Sequence, residues 1–178
     1  MATQSTPSAD PVTADSSRPT LPTGLIVGRF DPPHLGHSHM IDWSAQRCDR
    51  LVVFVNTSPD RDSVPGTLRA GWLSELHPEV AVVEVRHRLA TDFDDENLWA
   101  RWMALFAEHW PHADGPHVVF SSDAYVVDLA RRFDADHVVV DAERRTVPIS
   151  ATRIREQPGD HLHHLAPPVR RWVEANWL

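Results

Sequence analysis

Several things are scarce in this sequence, and each shortage removes a class of function. It holds one cysteine, Cys48, in 178 residues. No internal disulfide can form, so a reducing cytoplasm is the natural setting, and Cys48 reads as a buried small hydrophobe. No apolar run approaches the roughly 20 residues that a membrane span needs. The first residues lack a basic segment followed by an apolar stretch, which argues against a secretory signal. Basic side chains are outnumbered, 17 against 25 acidic ones, for a net charge of −8. That balance argues against a nucleic-acid groove or an anionic membrane as partner. An anionic small molecule would have to be held by a local basic site. There is no GK[ST] phosphate loop and no Gly-rich dinucleotide fingerprint.

What is present is an alternation of short β-branched runs with helical stretches. Residues 1–22 are rich in Ser, Thr, Pro, Ala and Asp, without an aromatic residue, and read as a disordered N-terminal tail. Residues 23–178 read as one domain, long enough to bury a real core. Strands are expected at Leu25–Val27, Leu51–Val55, Val80–Val85, Val118–Phe120 and Val138–Val140. Helices are expected at Leu35–Arg47, Thr67–Leu76, Asp94–Trp110, Asp123–Phe133 and Pro167–Trp177. Nearly continuous apolar strands alternating with helices imply a parallel sheet covered on both faces. The expected architecture is α/β, a Rossmann-like doubly wound sheet of about five strands. Such sheets bind ligands at the carboxyl ends of their strands, where strand order reverses.

Two segments at such strand ends concentrate chemistry. The first is Gly28-Arg29-Phe30-Asp31-Pro32-Pro33-His34-Leu35-Gly36-His37, between the first strand and the first helix. His34 and His37 are three apart at a helix start, so both rings can face one pocket. Gly36 leaves room for a phosphate to approach the backbone, and the helix N-terminus adds N–H donors. The plain alternative is a pair of satisfied surface or core histidines. The second segment is Pro148-Ile149-Ser150-Ala151-Thr152-Arg153-Ile154-Arg155, following the fifth strand and Asp141. Ser150 is a candidate N-cap for a further helix, and Arg155 falls about one turn on, where a guanidinium fork suits phosphate oxygens.

Together these segments, HxGH near the N-terminus and SxTxxR near the C-terminus, resemble the nucleotidylyltransferase superfamily. Gly28-Arg29-Phe30, Val64-Pro65 with Leu68-Arg69, Ser121-Ser122-Asp123-Ala124-Tyr125 and Val140-Asp141 look like the NMN adenylyltransferase domain of NadR-type proteins. So does Leu165-Ala166-Pro167-Pro168-Val169-Arg170, and the similarity spans about residues 24–171. The chain departs from that pattern in three ways. It is expected to lack the ribosylnicotinamide kinase with which NadR-type proteins usually continue. Ala142 stands where the family often has proline, and His161-Leu162-His163-His164 stands where it often has a tryptophan.

The resemblance implies that an acceptor phosphate attacks the α-phosphorus of a nucleoside triphosphate and displaces pyrophosphate. His34, His37 and Arg155 would be catalytic. Gly28, Arg29, Phe30, Gly36, Asp141, Ser150 and Thr152 would meet the nucleotide. Mg²⁺ would be held mainly by phosphates and water, with no protein metal site. At the acceptor end the candidates are Asn56, Arg69, Trp99, Trp102 and Asp123. For both tryptophans the ordinary alternative to stacking on a nicotinamide ring is core packing, and for Arg69 it is a solvated helix face. Arg144 and Arg145 read equally as loop charges or as part of the nucleotide site. His161, His163 and His164 read as a solvated turn rather than a metal site. The leading expectation is AMP transfer from ATP to nicotinamide mononucleotide (NMN). The alternatives are CMP transfer from CTP to a phosphonate or other small phosphorylated acceptor, and a nucleotide sensor without turnover. A homo-oligomer is left open.

Overall fold

The computed structural model describes residues 20–178. Five parallel strands form one sheet in the order β3-β2-β1-β4-β5: β1 Leu21–Gly28, β2 Cys48–Thr57, β3 Ala81–Arg86, β4 Val118–Ser121 and β5 Asp136–Val139. Between them run α1 Leu35–Ala45, α2 Gly66–Leu76, α3 Glu96–His109 and α4 Val126–Phe133, followed by α5 Ala151–Glu156, a 3-10 helix Pro158–His164 and α6 Pro167–Trp177. The expected doubly wound sheet is present. Strand order reverses between β1 and β4, which opens a crevice at their carboxyl ends.

Alternation along the strands divides the core. Leu25, Val27, Val52, Phe54 and Val119 face α3 and α4 and pack on Trp99, Trp102, Phe106, Val126 and Leu129. Ile26, Val53, Val55, Val118 and Phe120 face the other way, onto Met40 and Ile41 of α1 and Leu73 of α2. A third cluster of Val64, Trp72, Ile149, Ile154, Leu165, Val169 and Val173 fastens α5 and α6 beside α2. Ile154 is fully buried there, and truncating such a side chain to Ala costs about 2–5 kcal/mol. That cluster sets where the SxTxxR segment stands.

Several boundaries differ from expectation. β1 begins at Leu21, inside the stretch read as a tail, because its backbone pairs with β2 from Leu21 opposite Cys48 onward. Residues 1–19 of that stretch lie outside the described residues. α4 begins at Val126 rather than Asp123, since the Ser121 hydroxyl accepts from Asp123 N at 3.1 Å and holds residues 122–125 as a turn. β5 is a largely exposed edge strand, with Val139 43% exposed, and not an apolar buried run. Cys48 is buried, with burial raising its thiol pKa to about 11, as suits a small hydrophobe. Among the described residues no helix is long and apolar enough to cross a membrane.

Candidate active site

The loop after β1 is locked by buried ionic contacts. Asp31 is 1% exposed and accepts from Ser63 N at 2.9 Å and Val64 N at 2.8 Å, which ties the loop to the start of α2. Arg29 pairs with Asp31 at 3.2 Å and with Asp62 at 3.1 Å. Phe30 is buried with a left-handed backbone, φ 52°. A Cβ at Gly28 would lie 3.0 Å from the Phe30 ring, so glycine lets the ring pack close against the backbone here.

Arg69 corrects an expectation. It is wholly buried and touches neither solvent nor the cavity. Its guanidinium donates to the carbonyls of Val64, Arg29 and Asn56, to the Thr57 hydroxyl and to the Asp62 carboxylate. These contacts match the five N–H groups an arginine carries, which leaves none for an acceptor phosphate. It is neither a ligand group nor a solvated charge. It braces the loops after β1 and β2 against each other.

His34 is the N-cap of α1, with extended backbone at φ −142°. His37 N donates to His34 Nδ1 at 3.4 Å, and His34 N donates to His37 Nδ1 at 3.3 Å, a reciprocal capping box built from imidazoles. The rings stack at 3.6 Å with an interplanar angle of 20°. Burial, then the nearby Arg144 and His164, push the His34 pKa down to about 3. Burial, then His34 and Arg144, hold His37 well below the ordinary value. Both rings are therefore neutral near pH 7. Because each Nδ1 accepts from backbone, the single proton of each ring belongs on Nε2, which becomes a hydrogen-bond donor. A Cβ at Gly36 would lie 3.0 Å from two atoms of the His34 ring, so glycine permits the stack.

The second segment comes to the same place. Ser150 caps α5 by accepting from Arg153 N at 3.3 Å. Arg155 Nη2 donates to Thr152 Oγ1 at 3.2 Å, and Arg155 Nη1 donates to the backbone carbonyl of Asp31, 124 residues away. Asp141 has φ 48° and accepts from Arg145 N at 2.9 Å and Thr146 N at 3.1 Å. Burial, which raises its pKa, is outweighed by the backbone N–H groups of Arg145, Thr146 and Val147, so the carboxylate stays below its ordinary value. The turn that Asp141 organises points Arg144 toward the cavity, 3.6 Å from Asp123, while the exposed Arg145 pairs with Glu143.

These elements enclose a cavity of about 420 Å³ at the carboxyl end of the sheet. Gly28, Arg29, Phe30, Gly36, His34 and His37 line it from the first segment, and Asp141, Ser150, Thr152 and Arg155 from the second. Asn56, Trp99, Trp102 and Asp123 also line it. The tryptophans are core residues that also line the cavity. They are buried in the core, and their Nε1 groups donate to the carbonyls of Phe93 and Ala90, both at 3.0 Å, which fastens the loop beside the cavity. The Arg132 guanidinium covers the Trp99 ring at 4.3 Å, and His87 sits edge-on to Trp102 at 4.4 Å. Phe93, 52% exposed and stacked on Tyr125 at 5.9 Å, lines the cavity and was not foreseen. Neither was the bracing role of Asp31, although its place inside the first segment was a signal. Of the His161, His163 and His164 run, none lines the cavity, and His161 is buried in the 3-10 helix rather than solvated. Among the described residues the one His/carboxylate cluster, Asp42, His77 and Glu79, also lies outside it.

A family model described as cytidylyltransferase-like matches residues 25–157. The chain belongs to the cytidylyltransferase-like family. It is 29% identical over 124 residues to the nicotinamide-nucleotide adenylyltransferase of Saccharolobus solfataricus, covering 64% of this chain and 72% of that one. It is 30% identical over 155 residues to a Cereibacter sphaeroides protein named "Probable nicotinate-nucleotide adenylyltransferase", covering 83% and 76%. The solved structure of NadR in complex with NAD and AMP-PNP superimposes with a TM-score of 0.63 at 24% identity. That match covers 85% of this chain and 46% of NadR, so the cytidylyltransferase-like chain spans about half of NadR's length. As a member of this family it is a nucleotidylyltransferase.

Proposed function

We propose that the enzyme transfers AMP from ATP to nicotinamide mononucleotide, giving NAD and pyrophosphate. The observation that carries the reading is the bond from Arg155 to the Asp31 carbonyl, which joins the two signature segments at one cavity. The adenylyltransferase names of the relatives support ATP as donor and a pyridine mononucleotide as acceptor.

In this reading a phosphate oxygen of the acceptor forms the new bond to the α-phosphorus as the bond from that phosphorus to the bridging oxygen of pyrophosphate breaks. The acceptor phosphate is largely ionised near pH 7, its second pKa being about 6, so no protein base is needed. Catalysis then rests on positioning and on charge stabilisation. The Nε2–H groups of His34 and His37 and the N-terminus of α1 donate to the phosphates. Arg155 and Thr152 hold the far phosphates, and Ser150 keeps their turn in place. Arg29 and Arg144 add positive charge, and Gly28, Phe30, Gly36 and Asp141 shape the nucleotide site. Asn56, Trp99, Trp102 and Asp123 form the acceptor end. Mg²⁺ enters as part of the triphosphate substrate and neutralises its oxygens. A cytoplasmic setting accords with the single buried thiol.

The test is a pyrophosphate-release screen of ATP, CTP, GTP and UTP against NMN and a panel of phosphonates. Turnover with ATP and NMN, with NAD as product, is expected. Turnover with CTP and a phosphonate alone would replace this reading with cytidylyl transfer. Tight nucleotide binding without pyrophosphate release would make the protein a sensor.

A further inference from the structure

Asn56 lies near the end of β2, opposite Val85 of β3. Strand alternation sets its side chain on the face that carries Phe54, where α3 packs. The neighbouring residue Thr57 accepts at its carbonyl from His87 N at 2.9 Å, and the His87 ring meets Trp102. Asn56 thus stands at an aromatic-walled end of the cavity, over β2 and β3.

Its backbone carbonyl is occupied by Arg69. Its side-chain Oδ1 is buried and has no hydrogen-bond partner. Such atoms are uncommon in native folds, and each one calls for an explanation. Among the described residues the others are on Ser44, Arg132 and His161, none of which lines the cavity. The exception at position 56 is therefore the one on a residue that lines the cavity.

An unpartnered oxygen calls for a donor. The names of the relatives divide between nicotinamide and nicotinate nucleotides, and these two acceptors differ in one ring substituent. The carboxamide has two N–H groups, whereas the carboxylate has none. The Asn56 amide can pair with a carboxamide through two reciprocal hydrogen bonds, while a carboxylate would set a negative oxygen against Oδ1. We propose that Asn56 reads the carboxamide of the acceptor ring and makes the enzyme select nicotinamide over nicotinate mononucleotide. The inference rests on the pyridine-nucleotide reading above and assigns its specificity to one side chain.

The test measures kcat/KM with ATP for both mononucleotides, in the full-length wild type, Asn56→Leu and Asn56→Asp. Wild type is expected to favour the nicotinamide form by at least about 100-fold, since a site built to bond an N–H rejects an analogue that lacks it. Asn56→Leu should lose about 30-fold or more with the nicotinamide form and under about threefold with nicotinate. Its Tm should hold or rise, because an unpaired buried polar atom is gone. Asn56→Asp keeps the acceptor oxygen and should retain nicotinamide turnover within about tenfold while depressing nicotinate further, which carries the test if the leucine variant does not fold. A wild-type preference under about threefold, or equal losses with both acceptors in Asn56→Leu, overturns the role of Asn56 alone. Wild-type turnover of neither acceptor overturns the pyridine-nucleotide reading and this inference with it.

Discussion

Substituting Arg69 separates a bracing role from a ligand role. In Arg69→Met the buried Asp62 carboxylate, 4% exposed, loses one of its two cationic partners. It keeps Ser58 N at 2.7 Å and Arg29 at 3.1 Å. The carbonyls of Val64, Arg29 and Asn56 and the Thr57 hydroxyl lose a donor at the same time. Removing one partner of a buried ion pair costs about 3–5 kcal/mol. For a domain of this size that corresponds to a fall in Tm of roughly 6–20 °C. Arg69→Lys keeps the charge but has three donors, and should recover only part of the loss. The assays are thermal and urea unfolding alongside KM for the acceptor, measured well below the lowered midpoint. The expected result is a large stability loss with acceptor KM within about threefold of wild type, since the side chain does not reach the cavity. A Tm within about 2 °C of wild type together with a tenfold rise in acceptor KM would refute the bracing role.

Other substitutions probe the phosphate end, and pH probes the imidazoles. Arg155→Lys loses the fork that spans Asp31, Thr152 and phosphate, and kcat/KM should fall roughly 10²–10³-fold, as for loss of one preorganised donor, with unfolding little changed. Gly36→Ala sits in a helix, where alanine normally stabilises by about 0.5–1 kcal/mol. Its Cβ would nevertheless press the His34 ring from 3.0 Å, so kcat/KM should drop at least about tenfold while Tm holds, and unchanged activity would remove the need for glycine there. Both histidine pKa values are depressed in the fold, His34 to about 3. The unfolded chain therefore binds protons that the fold excludes. The stability this confers is complete above about pH 6.5 and is lost as pH falls from there toward 3. The wild-type urea midpoint should decline across that window more steeply than that of His34→Asn/His37→Asn. Activity should show no imidazole ionisation between about pH 6 and 9, only the acceptor phosphate near 6. A limb near pH 7 that vanishes in His37→Asn would mean that His37 titrates and works as an acid or base.

Much of the fold was legible because its signals are local. β-branched runs such as Leu51–Val55 and the amphipathic spacing of Leu98, Trp102 and Phe106 report burial whatever they pack against. The two site segments were legible for a similar reason, since His34, Gly36, His37, Ser150, Thr152 and Arg155 lie close to helix starts whose backbone donors follow from position alone. β5 was placed two residues late because its apolar residues mark only part of an edge strand that is held by backbone pairing with β4. The 3-10 helix at Pro158–His164 was missed because a polar, His-rich run has no periodic apolar face to announce it.

The sequence by itself determined the layer architecture and marked the two segments that reach the cavity, because periodicity and short motifs act over a few residues, while the class of reaction followed from the resemblance those segments carry. Only the tertiary structure decided which arginine faces the cavity and which is a brace. Arg69 and Arg155 have the same chemistry, and they differ in what the chain brings to them: Arg69 is enclosed by residues from the loops after β1 and β2, while Arg155 lies open to the cavity beside Asp31. The proton positions on His34 and His37 and the unpaired oxygen of Asn56 were likewise set by folding. Burial and hydrogen-bond pairing are properties of assembled surfaces, and no stretch of residues encodes them alone.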